Sequence, residues 1–497
     1  MRTTILFSFS VVFALALPVA YAESPSVTIV TGPDAPELER YAANELSGLL
    51  TTLFEAEVSI SSTPPTEGAK NLILLGSPAT NPAVKGTYPA ELGKQGQVVE
   101  STLSGLVIAG GSPVATLWAV YEYGYANGMR YLTNGDFPPV EKSAFTLEYY
   151  DIALKPEFET RAWRIRAKGP ASQASWIVAD HEKLLIQLAK LKFNAVILPE
   201  NNNQISFDAI DVTGDIAGRS VFDGAKEFSN PDLTSESGKV DQWIAGISAA
   251  ADRLGMSTES ANSSLPVLEL GQAQGGLLPQ TSPLRLPEGA GFTVEAAIVG
   301  DINPQLHYLS RAAFDPAVTP ESALIDLATP ICGEGVAESL ALGFAAIAEV
   351  SAIIEKEDPT FAVPDPKMFM EHYDSAEPAP EWWAKAKELY GKAVGEMYRA
   401  NTRARDGARP WILYHAKRDT FALHYLTAVE AARNAGIARA AKDEDAWAEN
   451  LELSIEAMHN ALGIYSEVAA DPSDRGTIAV LNEVGYRPLL KALDELP

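Results

Sequence analysis

Two carboxylates in the chain directly follow short apolar runs that have the composition of buried strands. Glu200 comes after the run VILP, and Asp301 comes after FTVEAAIVG. Cleavage of a glycosidic bond needs two carboxyl groups, one an acid with a raised pKa and the other a nucleophile or general base. Chemistry in a parallel barrel is carried at the carboxyl ends of the strands. We therefore predict that Glu200 and Asp301 are the catalytic residues.

Polar residues near these carboxylates are of types that bind sugars. Arg164 and Arg166 alternate with apolar residues on a predicted strand, and a guanidinium group matches the carboxylate of a uronic acid in bidentate fashion. Hydrogen bonds to sugar hydroxyl groups are the predicted role of four further residues, which are Asn201, Asn202, Asn303 and His307. We predict that these six side chains bind the substrate.

Each assignment has a structural alternative. Glu200 with its asparagine neighbours also fits a polar turn after a strand. Asp301 also fits the N-cap of a helix beginning near Pro304, because proline is favoured in a first turn. The two arginines also fit internal ion pairs, and Glu295, inside a predicted strand, fits a buried pair.

Other kinds of chemistry find little support in the sequence. The six histidines form neither an H-E-x-x-H nor an H-x-H pattern, so no catalytic metal and no cofactor are expected. No G-x-S-x-G motif of a serine esterase is present. The single cysteine, Cys332, excludes an intramolecular disulfide. Trp382 and Trp383 fit stacking on pyranose rings, although core packing is the commoner role of such a pair.

The candidate residues depend on a strand–helix–strand unit between Glu159 and Glu200. Alternation over residues 163–167 predicts the first strand, and the apolar run at residues 193–198 predicts a second, buried strand. Between them, leucines at helical spacing predict a helix for which Asp180 is a plausible N-cap. Strand, helix and buried strand make a βαβ unit, and the polar run that begins at Glu200 follows its second strand.

An α/β sandwich is predicted before this unit, with a hairpin that turns at Ser104 and Gly105. The segments AANELSGLL, ILLGS and IAGGSPVATLWAVYEYGYANGMRYLTNGD, with PEFETR after them, resemble the N-terminal domain of family 67 α-glucuronidases and family 20 hexosaminidases. The resemblance covers roughly residues 26–200. It implies an accessory α/β domain, a TIM barrel after it, and hydrolysis of O-glycosyl bonds.

The barrel that this resemblance implies is short. Eight strand–helix units take about 250 residues, whereas only three or four strands are recognisable between Arg161 and Pro330. Residues 257–291 are rich in Gly, Pro and Ser and have little periodicity. If they form barrel strands whose carboxylates face the barrel mouth, a catalytic function is favoured; if they form a loop, a binding function is favoured. Beyond Pro330 the apolar spacing predicts helices only.

The sequence also predicts the location and partners of the protein. Arg2, the apolar residues 5–17 and the Ala-Tyr-Ala at 20–22 fit a signal peptide, with an uncleaved anchor helix as the alternative. We expect a secreted or periplasmic protein. A net charge of −27 argues against nucleic acid and against an anionic membrane surface. The expected partners are an oligo- or polysaccharide and, as an alternative to a monomer, a second copy of the chain in a homodimer.

The predicted organisation is an α/β plus all-α protein. Residues 1–22 are the signal peptide, 26–150 an α/β accessory domain, 151–329 a shortened TIM-barrel-like domain, and 330–497 an α-helical domain. The leading functional hypothesis is a glycoside hydrolase that acts on the O-glycosyl bonds of a polysaccharide. Polysaccharides that carry uronic acid, as the substrates of α-glucuronidases do, are among the expected substrates. The alternatives are a non-catalytic carbohydrate-binding or scaffold protein and a structural envelope protein.

Overall fold

The computed structural model describes residues 24–64, 71–166, 173, 176–199, 237–261, 263–270, 277–281, 286–359, 361, 368–494 and 496. The predicted signal peptide and the predicted site residues Glu200, Asn201 and Asn202 lie outside these ranges. The described chain is a mixed α/β protein with a helical C-terminal region. Among the described residues, one helix, Ala337–Glu357, is long and apolar enough to cross a membrane by length and composition, and 44% of its apolar window is buried.

The N-terminal region contains a six-stranded sheet in the order β2-β1-β3-β5-β4-β8. The predicted hairpin is confirmed, since β4 and β5 pair antiparallel on either side of the turn. Gly105 has a φ of +139°, and a Cβ there would lie 2.1 Å from the carbonyl oxygen of Leu72, so this turn requires glycine. The elements are β1 (Ser26–Val30), α1 (Glu37–Phe54), β2 (Glu57–Ser61), β3 (Leu72–Gly76), β4 (Gln97–Thr102), β5 (Gly105–Gly110), α2 (Pro113–Ala126), β6 (Arg130–Leu132), β7 (Gly135–Phe137) and β8 (Asp151–Leu154).

A parallel sheet of five strands follows, in the order β11-β10-β9-β13-β12. Two of its strands fall within residues 257–291, where the sequence shows little periodicity, so the described sheet has more strands than the three or four predicted. The prediction that Asp180 is the N-cap of this helix is wrong, because α3 begins at Val178 and Ile177 occupies the N-cap. The elements are β9 (Thr160–Arg164), α3 (Val178–Lys190), β10 (Ala195–Leu198), α4 (Ser237–Arg253), β11 (Ser257–Ser260), β12 (Val267–Leu270) and β13 (Gly291–Ala296).

Consecutive strands β11 and β12 lie at opposite edges of the parallel sheet, so the chain that joins them crosses the inner face of the sheet. Ala261 packs there against the small apolar side chains of Ala162, Ala195 and Ile197. At the far end of the crossing, the backbone N–H of Thr293 donates to the carbonyl of Pro266 at 2.8 Å. Ala261 thus packs on inward side chains of the neighbouring strands β9 and β10.

The regular elements that follow β13 are helices. The predicted helix at 380–403 is confirmed as α9, and the one predicted at 409–436 continues to residue 441 as α10. The helix predicted at 474–494 is instead two helices separated by a π-helical turn at Asn482–Tyr486. The elements are α5 (Asn303–Ala312), α6 (Pro320–Cys332), α7 (Ala337–Glu357), α8 (Met368–Asp374), α9 (Glu381–Arg403), α10 (Arg409–Ala441), α11 (Glu444–Ser466), α12 (Pro472–Leu481) and α13 (Arg487–Leu493).

A buried charge cluster joins helix α2 to the helices around the parallel sheet. Glu122 on α2 contacts the ammonium of Lys192, and Arg311 on α5 holds both of its oxygens, at 2.8 and 3.1 Å. Burial alone would raise the pKa of Glu122, but the two cations outweigh it and lower this pKa to about 2. Burial lowers the pKa of Lys192 to about 8, although the neighbouring Glu122 raises it.

We expect Glu122→Gln to lower the free energy of unfolding by about 3 kcal/mol at pH 7, because it leaves two buried cations without a counter-charge. A carboxyl whose pKa is depressed in the folded state stabilises above its unfolded pKa and loses that effect as pH falls through its folded pKa. The acid-side loss of stability between about pH 4.5 and 2 should therefore be smaller in the variant. Urea unfolding across this range measures both effects. Glu148→Gln, at an exposed position, is the control, and equal unfolding curves would contradict the assignment.

Candidate functional site

Four charged side chains lie in one row across the inner face of the parallel sheet: Glu259, Arg164, Glu295 and Glu269. Together with Arg166, which pairs with Glu295, we call them the charged row. Side chains alternate between the two faces of a strand, and Trp163, Val294 and Leu270 pack in the outer core. Their neighbours in the charged row therefore face inward. The register agrees, because Ile197 pairs with both Glu259 and Arg164, and Glu269 pairs with Glu295.

Glu295 is held by two arginines from the neighbouring strand and the residues after it. Nη1 of Arg166 lies 3.4 Å from its Oε1, and Nε of Arg164 lies 3.9 Å from its Oε2. Partial burial raises the pKa of Glu295, Arg166 lowers it, and Glu269 on the next strand raises it again. Glu295 is thus a half-buried carboxyl with a raised pKa beside an exposed second carboxylate, which is the pattern of an acid and its partner in glycoside hydrolysis.

Gln173 fixes the carboxyl ends of β9 and β13 relative to each other. Its Oε1 accepts the backbone N–H of Arg166 at 3.3 Å, and its Nε2 donates to the carbonyl of Ala296 at 3.0 Å. The Gln173 side chain is fully buried, and its own carbonyl contacts Nε2 of His181 at 3.0 Å. Burial lowers the pKa of His181 to about 3, so the imidazole is neutral. These contacts hold the arginines of the charged row in register with Glu295.

The structure brings Arg164 and Arg166 together at Glu295, and the alternative of internal ion pairs is confirmed for both. Glu295 faces inward in a pair, as its own alternative predicts. The role of the arginines in binding a uronate stays a prediction. Glu200 and the two asparagines after it lie outside the described residues.

Asp301 lies in a contact between the end of the parallel sheet and the C-terminal helices. Its Oδ1 and Oδ2 accept from Nε and Nη2 of Arg418 at 3.0 and 2.7 Å, and the guanidinium is fully buried. The N-cap alternative for Asp301 is wrong, because Ile302 occupies the N-cap of α5. Only 9% of the Asp301 side chain is exposed, so the ion pair leaves a substrate little access to it. The catalytic role of Asp301 stays a prediction that its position does not favour.

Asn303 and His307 make contacts within the protein. The Asn303 side chain accepts the backbone N–H of Thr133 at 2.8 Å and donates to the carbonyl of Gly300 at 3.1 Å. His307 is 2% exposed, and its Nε2 lies 2.8 Å from Oδ2 of Asp326. Their predicted substrate-binding role is untested, and the described contacts place neither in the charged row. Trp383 packs in the core of the C-terminal helices, with Trp382 against it.

Sequence reasoning misses Glu259 and Glu269. Each lies in a strand of only four residues, STES and VLEL. The only signal for Glu269 is its position between Leu268 and Leu270, an alternation too short to predict a strand by itself. Among the described residues, no group of three or more His, Cys, Asp and Glu could hold a metal ion.

No family model and no curated protein matches the sequence. Among solved structures, a family GH115 4-O-methyl-α-glucuronidase with specificity for decorated arabinogalactans superposes with a TM-score of 0.56 at 11% identity, over 93% of this chain and 80% of that one. A GH138 enzyme targeting pectin rhamnogalacturonan II gives 0.49 at 9% identity, over 95% and 99%. A GH84 structure gives 0.42 at 8% identity, over 88% and 90%.

Only the first of these similarities exceeds a TM-score of 0.5, and at this identity it bears on the fold alone. The chain therefore has a glycoside-hydrolase-like fold. The resemblance to families 67 and 20 noted from the sequence is not confirmed at the level of the family.

We expect Asp301→Asn to lower the free energy of unfolding by roughly 3–5 kcal/mol, because the fully buried Arg418 loses its counter-charge. Guanidinium denaturation measures the loss. Asp252→Asn on the exposed side of α4 is the matched control and should unfold like the wild type. An Asp301→Asn protein with unchanged stability and no turnover would show instead that Asp301 is catalytic.

Proposed function

We propose that this protein is an exported glycoside hydrolase built on a shortened barrel, with its reaction centre at the charged row. The observation that carries the proposal is Glu295, a half-buried carboxyl with a raised pKa, beside the exposed Glu269 on the adjacent strand. By the criterion set from the sequence, residues 257–270 contribute strands whose carboxylates share a face with Glu295, which favours catalysis over binding alone. The apolar leader at residues 5–17 supports export.

In this proposal Glu295 is the general acid. Its raised pKa keeps a proton available for the glycosidic oxygen of the leaving group, while Glu269 acts as nucleophile or general base at the anomeric carbon. Neighbouring strands lie about 4.8 Å apart, so the two carboxyl groups start close together. The exposure of Glu269 gives a sugar ring, or a water molecule, access to it.

The proposed substrate is a polysaccharide that carries uronic acid. Arg164 and Arg166 form a double guanidinium beside the proposed acid, and each can hold a carboxylate in a planar, two-point contact. The similar GH115 structure belongs to a 4-O-methyl-α-glucuronidase with specificity for decorated arabinogalactans. We therefore propose 4-O-methylglucuronosyl groups on an arabinogalactan as the first substrates to assay.

A non-catalytic carbohydrate-binding protein is the second candidate. The observation in its favour is that Glu295 is already paired with two cations, and that the described sheet has five strands where a complete barrel has eight. Such a protein would bind the polysaccharide at the charged row without releasing sugar.

We expect Glu295→Gln and Glu269→Gln each to lower turnover of a glucuronosylated arabinogalactan by at least a hundredfold, since general acid–base groups typically contribute 10²–10⁴. Release of the uronic acid, measured by chromatography, is the readout, and polysaccharide binding should change little. Glu288→Gln, at an exposed loop position just before β13, is the matched control.

Two results would contradict this assignment. Full turnover in both variants would exclude the charged row as the reaction centre. Wild-type binding without any released uronic acid, on this and on related glucuronosylated polysaccharides, would favour the binding protein.

The pH dependence offers a separate check. A general acid must be protonated, so activity is lost as pH rises through its pKa. Arg166→Met removes a cation that lowers the pKa of Glu295. The basic limb of kcat/KM should therefore move to higher pH in this variant. Glu269→Gln removes the negative charge that raises the pKa of Glu295. The basic limb of the activity that this variant retains should therefore move to lower pH. A basic limb that stays in place in both variants would exclude Glu295 as the acid.

A further inference from the structure

Gln173 joins the ends of strands β9 and β13 beyond the point where their ladder stops. The paired register between the two strands ends at Trp163 and Val294. Three residues further along the chain, the backbone N–H of Arg166 donates to Oε1 of Gln173 at 3.3 Å. Nε2 of the same side chain donates to the carbonyl of Ala296 at 3.0 Å. The glutamine side chain thus takes the place of a ladder hydrogen bond at the edge of the sheet that carries the charged row.

The contacts of the proposed acid depend on where Arg166 lies. Its Nη1 is 3.4 Å from Oε1 of Glu295, which is already longer than the roughly 2.7–2.9 Å of a strong charged hydrogen bond. Burial raises the pKa of Glu295, and Arg166 opposes this more strongly than Arg164 does. Because Gln173 holds the backbone N–H of Arg166, a displacement of about 1 Å at that hydrogen bond would weaken the closer ion pair of the reaction centre.

Gln173 is itself held in place through its backbone carbonyl. This carbonyl accepts the backbone N–H of Trp176 at 3.1 Å and lies 3.0 Å from Nε2 of His181. A carbonyl only accepts, so Nε2 of His181 carries the hydrogen of that bond. Gln173 and His181 are both buried. The position of the glutamine is therefore set by Trp176 and by the first turn of α3.

Trp176 extends these contacts to two helices outside the charged row. Its Nε1–H donates to Oγ of Ser473, in the first turn of α12, at 3.0 Å. Its carbonyl accepts Nε1–H of Trp243 on α4 at 2.9 Å. All three side chains are buried, and the ring of His181 packs edge-on against Trp243 with ring centroids 5.2 Å apart. Because buried polar groups have few alternative partners, these contacts hold Trp176 in one position.

We propose that Gln173 is a positioning residue of the reaction centre, and that helix α12 acts on the centre through Ser473 and Trp176. This inference rests on the proposed function, since the carboxyl that Arg166 contacts is the proposed general acid, Glu295. It gives the C-terminal helices a part in catalysis without requiring that any of their side chains touch the substrate. Loss of the Ser473 contact would loosen Trp176 and then Gln173, and Arg166 would move away from the acid.

The test is the pH profile of kcat/KM of the whole protein on the glucuronosylated arabinogalactan. Gln173→Met has a side chain of similar length but lacks both hydrogen bonds. We expect kcat/KM to fall by at least about tenfold, since a misplacement of about 1 Å can cost a hundredfold. The basic limb should move to higher pH, because Arg166 lowers the pKa of Glu295 and would no longer lie as close to it. Gln242→Met, at an exposed position on α4, is the control.

Two further comparisons separate positioning from a general loss of stability. In an Arg166→Met background, Gln173→Met should cause no further movement of the basic limb, because the residue that transmits the effect is already gone. Ser473→Ala removes the acceptor of the Trp176 Nε1–H and should move the limb in the same direction as Gln173→Met. Ser454→Ala is the matched control, since Ser454 is another fully buried serine of the C-terminal helices, and it should leave the limb in place.

An unmoved basic limb in Gln173→Met would overturn the positioning role, and an unmoved limb in Ser473→Ala would overturn the part assigned to α12. If Gln173→Met does not fold, as its melting temperature would show, the result for Ser473→Ala decides alone. A second readout needs no turnover: the titration of Glu295, followed by NMR of isotope-labelled glutamate and identified by its absence in Glu295→Gln.

The two readouts together distinguish this inference from the proposed function. A Glu295 titration that moves to higher pH in Gln173→Met, in a protein without turnover, would reject the hydrolase and keep the positioning role. Glu295-dependent turnover with an unmoved titration in Gln173→Met would do the reverse.

Discussion

A charge that leaves water has to find a partner, and this requirement determines how the regions of this protein meet. Glu122 on the second helix is enclosed by Lys192, which lies between strands β9 and β10 of the parallel sheet, and by Arg311, which follows its last strand. Asp301, just after the last strand of that sheet, is enclosed by Arg418 of the longest helix. Removing one member of such a pair costs more than the pair contributes, since it leaves the other charge buried alone. The pairs therefore specify one arrangement of the N-terminal sheet, the parallel sheet and the C-terminal helices.

The same requirement distinguishes two carboxylates that look alike in the sequence. Asp301 and Glu295 both lie at the carboxyl edge of the parallel sheet, and both are paired with arginine. Asp301 meets a fully buried guanidinium at hydrogen-bond distance. Glu295 meets two partly exposed arginines at longer range, with a like charge on the adjacent strand, and its pKa is raised. The proposed chemistry is assigned to Glu295 because its side chain is partly exposed, whereas the Asp301 carboxylate is held in a buried pair.

Long periodic segments could be predicted from the sequence, and short or long-range features could not. Helix α9 was predicted to within one residue because its apolar stripe runs through six turns. Strands β11 and β12 have four residues each, too few for the period of two to stand out. The partner of Asp301 is 117 residues away in the chain, and no local pattern indicates it. The sequence predicts that Arg164 and Arg166 belong to the site, but Glu269 becomes visible only through its pairing with Glu295.

Under the proposed function, the protein would have to bind an acidic polysaccharide in spite of its own net charge of −27. Salt reduces this difficulty, because exposed charges more than about 8 Å apart are largely screened at physiological ionic strength. What remains is the local potential inside partly enclosed sites, where screening is weak. Arg164 and Arg166, which meet at Glu295, are the cations that such a partly enclosed site offers to a carboxylate. Attraction of a uronate would then depend on a few enclosed donors and hardly at all on the acidic surface around them.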